Sequence, residues 1–134
     1  MDLFNRTVLL LGKVLDLRSA RHEVLATNIA NADTPGYTGI NLVFEEELRK
    51  AASSAGARGL AKTHPKHFPQ APSLSSISGH IEATETPLMG NDRNSVEVER
   101  EMVKLAENTL MYEAAVQMLT KKFRGLKEAI REGR

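Results

Sequence analysis

Residues 98–130 read VEREMVKLAENTLMYEAAVQMLTKKFRGLKEAI. Val98, Met102, Leu105, Thr109, Tyr112, Val116, Leu119, Phe123, Leu126 and Ile130 recur at alternating steps of four and three without a slip. That is the period of an α-helix offering one continuous seam to a partner. At about 1.5 Å per residue the helix is roughly 50 Å long. Asn94, with Glu97 three residues on, predicts a capping box at its start. Acidic Glu97, Glu99 and Glu101 near the start and basic Lys121, Lys122, Arg124, Lys127 and Arg131 towards the end suit the helix dipole.

A second long helix is predicted at the other end of the chain. Phe4, Val8, Leu11 and Leu15, then Arg18 and His22, then Leu25 and Ile29 keep heptad spacing. A neighbouring stripe runs through Leu10, Val14, Leu17, Val24 and Asn28, so the apolar surface is wider than a two-stranded seam needs and the helix touches more than one neighbour. It ends near Asn31, because Ala32-Asp33-Thr34-Pro35-Gly36-Tyr37 places a proline where helix cannot continue and a glycine suited to positive φ. Leu42 to Lys50 predicts a short helix, and small, polar Ala51 to Gly59 reads as a linker. Residues 60–95 hold Pro65, Pro69, Pro72 and Pro87 with no sustained period, so little regular structure is expected beyond an extended pair around Gly79 to Ala83.

The reading is therefore a mainly α chain, with helical coiled-coil segments at 1–33 and 95–134 around a turn, short helix and irregular, in part extended, middle at 34–94. Each long helix has more apolar stripe than one antiparallel hairpin hides, which predicts self-assembly or a partner. A monomeric hairpin with the middle folded over it is the competing reading of the same periodicity.

Composition narrows the partners. The chain has 134 residues, enough for one domain, with 41% hydrophobic and only 4% aromatic residues, so aliphatic stripes must supply its contacts. Eighteen Lys and Arg against 17 Asp and Glu give no field that calls for nucleic acid or an anionic membrane, and protein partners are expected. The absence of Cys excludes disulfides and thiolate metal sites. The apolar run Val8 to Leu11 is followed too soon by Lys13, Asp16 and Arg18 for a membrane span, and no cleavable signal peptide is convincing.

No constellation for catalysis or cofactor binding emerges. His64 and His67 flank Pro65 without further ligands, and a solvated linker is the better account than a metal site. Glu45, Glu46 and Glu47 are consecutive, so on a helix they diverge and cannot face one substrate; a solvated face is expected. The glycines are scattered and form neither a phosphate cradle nor a dinucleotide fingerprint. The basic tail from Lys121 to Arg134 lacks interleaved aromatics beyond Phe123, and as the heptad continues through it, its charges read as the wet side of a packed helix rather than a nucleic-acid site.

The run Leu25-Ala26-Thr27-Asn28-Ile29-Ala30-Asn31-Ala32-Asp33-Thr34-Pro35-Gly36-Tyr37 resembles the signature of the flagellar rod, hook and hook-associated axial proteins. Its signature turn comprises Asn28, Asn31, Thr34, Pro35, Gly36 and Tyr37. Leu15 to Arg21, Phe44 to Leu48 and Met111 to Leu119 resemble the proximal rod members of the flagellar basal-body rod family, and the lack of a large inserted domain fits them too. Gly90-Asn91-Asp92-Arg93-Asn94-Ser95 departs from the Asp-Gly-Asn order common in relatives.

The resemblance implies a structural subunit without catalytic role. Its terminal helices would form the inner coiled-coil layer of a tube that joins the membrane ring to the distal rod and carries torque for motility. The assembly seam would comprise Leu11, Leu15, Leu25 and Ile29 with Val98, Met102, Leu105, Tyr112, Val116, Leu119, Phe123, Leu126 and Ile130. Partners implied are other rod subunits, the FliE-like rod-base adaptor, the membrane ring, further copies of the chain and the flagellar type III export apparatus. The implied place is the periplasmic rod of the basal body, reached without a cleaved signal. Early axial subunits are similar in carrying a Phe followed four residues later by an aliphatic, read by the export gate, and Phe4 with Val8 matches that pattern. The same pair forms the first rungs of the helix seam, and both readings stand. The alternative is a freestanding helical adaptor or coiled-coil oligomer.

Overall fold

The computed structural model describes residues 2–53, 77–84 and 94–132, with side chains for 6–53, 77–84 and 94–131. In chain order come α1 (Asp2–Ala30), β1 (Ile40–Val43), α2 (Glu45–Ser53), β2 (His80–Ala83) and α3 (Val98–Glu132). The fold is mainly α. The long helices α1 and α3 pack on each other and run antiparallel, since Asn28 near the end of α1 meets Glu101 near the start of α3, and Arg18 meets Asn108.

The short elements lie against the C-terminal half of α1. β1 and β2 form a two-stranded antiparallel sheet with Ile40 opposite Ala83 and Val43 opposite His80. The extended pair expected around Gly79 to Ala83 is present as β2, and its partner corrects the predicted short helix: Leu42 and Val43 belong to a strand. Branched Ile40 and Val43 favour the pleated conformation. Helix begins only after Phe44, whose carbonyl accepts from Leu48 N–H at 3.0 Å. Glu45, Glu46 and Glu47 fill its first turn, where acidic side chains complement the dipole. α2 then runs on to Ser53, so Ala51 is a buried core residue and not the start of a linker.

The core is small. Phe44, Leu42, Leu17, Ala51 and Ile77 are buried together, with Ala20, Val24 and Leu48 packed against them. The second stripe of α1 thus turns Leu17 and Val24 towards the strand and α2, while Leu25 and Asn28 are buried on the α3 side. Gly79 lies so close that an added Cβ would stand 2.7 Å from Leu42 Cδ1, an approach that requires glycine. Phe44 is covered by Arg21, whose guanidinium carbon is 4.2 Å from the ring centroid, a cation–π distance. The same guanidinium donates to Leu42 O through Nε at 2.9 Å and to Glu45 Oε2 at 2.8 Å. Glu45 is therefore not simply solvated. Glu46 pairs with Arg49 and Lys50, and Glu47 accepts from Ser78 N–H.

α1 stops where the sequence predicts. Thr34 N–H bonds to Asn31 O at 3.0 Å and Tyr37 N–H to Thr34 O at 3.2 Å, so successive turns replace the helical ladder. Gly36 has φ +74°, the left-handed region that a Cβ disfavours. The start of α3 corrects the capping box. The first intrahelical bond runs from Glu101 N–H to the carbonyl of Glu97, and Asn94 lies three residues before that, with its Oδ1 accepting from Val96 N–H. His64, His67, the four middle prolines and Gly90 to Arg93 lie outside the described residues, as does the side chain of Phe4.

Two measurements test these assignments. Gly36→Val should lower the urea midpoint by the equivalent of about 1–3 kcal/mol, whereas Gly36→Asn, which tolerates positive φ, should stay near the parent; equal losses would remove backbone strain as the cause. The second concerns Glu45. Burial pushes its carboxyl up, but hydrogen bonds from Arg21 and main-chain N–H groups outweigh this and hold it below the ordinary value. A carboxyl lowered in the folded state adds stability above its unfolded-state pKa and loses it as pH falls through the folded value. Glu45→Gln should flatten that part of the acid limb in a pH series of denaturation midpoints, and an unchanged limb would show that the Arg21–Glu45 pair adds no stability.

Candidate functional site

The signature turn is a polar junction built around Asn28. This side chain is buried inside the last turns of α1 and uses all its hydrogen-bonding capacity. Its Nδ2 donates to Ile40 O at 2.7 Å and to Glu101 Oε2 at 2.8 Å. Its Oδ1 accepts from Ile40 N–H at 3.1 Å and from the Tyr37 hydroxyl at 3.2 Å. One amide thus ties α1 to the turn, to β1 and to α3. Asn31 does a more local job, donating from Nδ2 to Thr27 O at 2.8 Å and accepting from the Thr34 hydroxyl at 3.4 Å. Pro35 and Gly36 are exposed, and Gly36 supplies the left-handed step of the turn.

Three residues that the sequence reading did not assign here complete the junction. Asn94 Nδ2 donates to the carbonyls of Asn31, Ala32 and Thr34, so it holds the turn that follows α1 rather than capping the start of α3. Ser95 Oγ accepts from Gly39 N–H at 2.9 Å. Glu101 is buried and its carboxylate is shared between Asn28 and Lys104, as a buried charge requires. Further along, Asn108 Nδ2 donates to Arg18 O at 2.8 Å while its Oδ1 accepts from Arg18 at 3.3 Å.

These polar residues re-aim the predicted seam of α3. Glu101, Asn108 and Ala115, spaced by seven, are the buried face. Leu105, Leu119 and Leu126, with Val98 at the start, are half-buried, and so are Val8, Leu11, Leu15 and Ile29 of α1, while Leu25 is fully buried. The other half of the predicted seam is solvent-exposed: Met102 at 58%, Phe123 at 52% and Ile130 at 70%, with Val116 and Tyr112 less so. Thr109 lies in the same exposed row. Among the described residues the ten-residue path is thus split between an inner side against α1 and an outer row with no covering element. The fully buried positions Glu101, Asn108 and Ala115 carry no apolar signal, which is why periodicity alone follows the apolar residues beside them.

Chemically the junction holds amides, hydroxyls and one neutralised carboxylate. Among the described residues no group of three or more His, Cys, Asp or Glu is placed to hold a metal ion, and no described helix is long and apolar enough to cross a membrane. What the site offers is geometry: a locked handover from α1 to the middle of the chain and a long exposed apolar row.

Comparison with known proteins bears on both features. Residues 15–38, which contain the junction's turn, match the flagella basal body rod protein family. Over 119 residues the chain is 36% identical to the flagellar basal body rod protein FlgB of Aeromonas hydrophila, covering 87% of this chain and 86% of that protein. Identity is 32% over 125 residues to the FlgB of Escherichia coli strain K12, covering 90% of each. It is 37% over 113 residues to the FlgB of Aquifex aeolicus, covering 84% and 82%. With this likeness running through the helices as well as the turn, the chain belongs to the flagellar basal body rod protein family, among its FlgB members.

Proposed function

We propose that the chain is a structural subunit of the proximal rod, polymerising through its terminal helices to join the membrane ring to the distal rod and transmit torque for swimming. The observation that carries this reading is the outer row of α3, apolar and left uncovered by the described residues, along a helix whose inner face is already satisfied by α1. A row of this length marks an interaction surface rather than scattered surface hydrophobes. Other rod subunits, a FliE-like rod-base adaptor, the membrane ring and further copies of the chain are the partners in this reading. The chain acts in the periplasmic rod and performs no catalysis.

Such a subunit must cross the inner membrane, and the type III export apparatus is the proposed route, with Phe4 and Val8 as the segment it reads. Val8 is half-buried on α1, so recognition would precede folding and packing would follow it.

Complementation of a strain lacking its own copy tests assembly. Phe123→Asp should leave the helical circular dichroism and the exported amount unchanged while swimming is lost, because a charge then interrupts the outer row. Leu105→Asp and Leu119→Asp, at half-buried positions of the inner row, should lower the denaturation midpoint as well as abolish swimming. Normal motility of Phe123→Asp would remove the outer row as an assembly surface. For export, Phe4→Ala should accumulate in the cytoplasm with none exported. If it is exported at the normal rate without building a rod, Phe4 is a packing residue only.

A further inference from the structure

On the side of α3 turned away from the outer row, a cleft of about 740 Å3 lies between α1, β1 and α3. Met111 lines it, two residues beyond Thr109 and so about 200° round the helix. Leu25 and Val43 give the cleft apolar side chains, and Leu110 and Met111 form a wall that is exposed among the described residues. Three cations line the same cleft, and two are matched within the chain. Arg21 holds both carboxylate oxygens of Glu45, and Lys104 pairs with Glu101.

Arg18 is the third. It is half-buried beside the Phe44 ring, 5.7 Å from the centroid, and the hydrogen bond its guanidinium donates to the described residues goes to Asn108 Oδ1 at 3.3 Å. No described carboxylate makes an ion pair with it; Glu107, on the same cleft, stays apart. Burial, followed by the charge of Arg21, holds the Arg18 guanidinium below its ordinary value, and Glu45 offsets this only in part. A guanidinium carries five donors in a planar fork that matches a carboxylate. Here the chain itself uses one.

We propose that this cleft receives an acidic side chain of a neighbouring rod subunit, set between apolar residues, with its carboxylate on Arg18 and its flanks on Leu110, Met111 and Val43. A small anion would meet the guanidinium but leave the apolar wall in water. A polyanion such as nucleic acid or an anionic membrane would meet Glu45 and Glu107 as well, and two carboxylates beside one uncommitted cation repel it. One carboxylate among apolar groups suits both features. A charge held partly out of water without a counter-ion is costly, so Arg18 weakens the isolated subunit and strengthens the one contact that brings the counter-ion. Because the cleft and the outer row lie on different sides of α3, one subunit can hold a neighbour at each, as a contact that repeats along an axis requires. The inference rests on the rod reading, and it adds to that reading a second contact surface and the chemistry of its occupant.

The test compares the purified subunit with the assembled rod in a strain lacking its own copy. Arg18→Gln should keep the urea midpoint at or above the parent's, because the uncompensated charge goes while Asn108 keeps its bond to the Arg18 main-chain carbonyl; swimming should nevertheless be lost. Arg18→Lys keeps the charge without the fork and should swim, with slower spread. Motile revertants of Arg18→Glu should carry Lys or Arg in place of an Asp or Glu of a rod subunit, and the same change should not rescue Arg18→Gln. With p-benzoylphenylalanine at Leu110, basal bodies should yield an adduct on the rod-subunit peptide that holds that Asp or Glu. A midpoint for Arg18→Gln below the parent's would make Arg18 an internal packing residue and overturn the proposal. So would normal swimming of Arg18→Gln, reversion of Arg18→Glu at Glu45 or Glu107, an adduct on another class of protein, or no adduct. The rod reading fails separately, if the unaltered chain neither restores swimming nor is recovered in basal bodies.

Discussion

The Asn28 amide is the contact on which the rest of the structure depends. It is buried in the last turn of α1, and it is held there by four hydrogen bonds to three other segments. An apolar residue of similar volume would fill the space but strand the main-chain groups of Ile40, the Tyr37 hydroxyl and the Glu101 carboxylate. Each buried group left without a partner costs about 1–3 kcal/mol, in a chain whose whole stability is expected within about 5–15 kcal/mol. The amide therefore does not merely add to the fold; it selects the single arrangement in which helix end, turn, strand and second helix meet.

That dependence explains which parts of the fold were legible in the sequence. Both long helices follow from period alone, and the end of α1 follows from Pro35 and Gly36, because each of these signals is local. The strand at Leu42 and Val43 was read as helix because four residues are too few to establish a period, and its pairing with His80 to Ala83 spans the middle of the chain. Asn94 departs from its sequence pattern for a related reason. Its spacing to Glu97 fits a capping box, but the carbonyls it serves belong to residues about sixty positions earlier. Asn28 and Tyr37 were singled out through their membership of a recognisable run, and the hydrogen bonds between them needed the folded chain.

The split of the α3 seam connects packing to function. A core of five buried side chains with three neighbours packed against it is modest support for two helices of 29 and 35 residues. Much of the large apolar surface of α3 lies outside that core, on Met102, Leu110, Met111, Met118, Phe123 and Ile130. The hydrophobic stabilisation scales with apolar area removed from water, so on the proposed rod reading a large share of it would come only with a neighbour that covers α3. A subunit built this way can keep a defined fold near the junction while the far ends of its helices wait for assembly.

The division of labour between the two rows of α3 has a further consequence for register. Leucine against leucine is nearly indifferent to a slide of one heptad, whereas a polar side chain at a seam position is not, because a slide leaves it unpaired. The inner row uses Glu101 against Asn28 and Asn108 against Arg18, and both pairs fail together if α3 moves along α1 by a turn. The inner contact is thereby fixed in one position, which holds the outer row at a set height relative to the junction and the strand pair. An assembly that repeats along an axis needs that constancy: small errors in the height of each docking surface would accumulate from subunit to subunit. Polar residues that weaken the apolar seam inside the chain are, on this argument, what makes the apolar seam outside it usable.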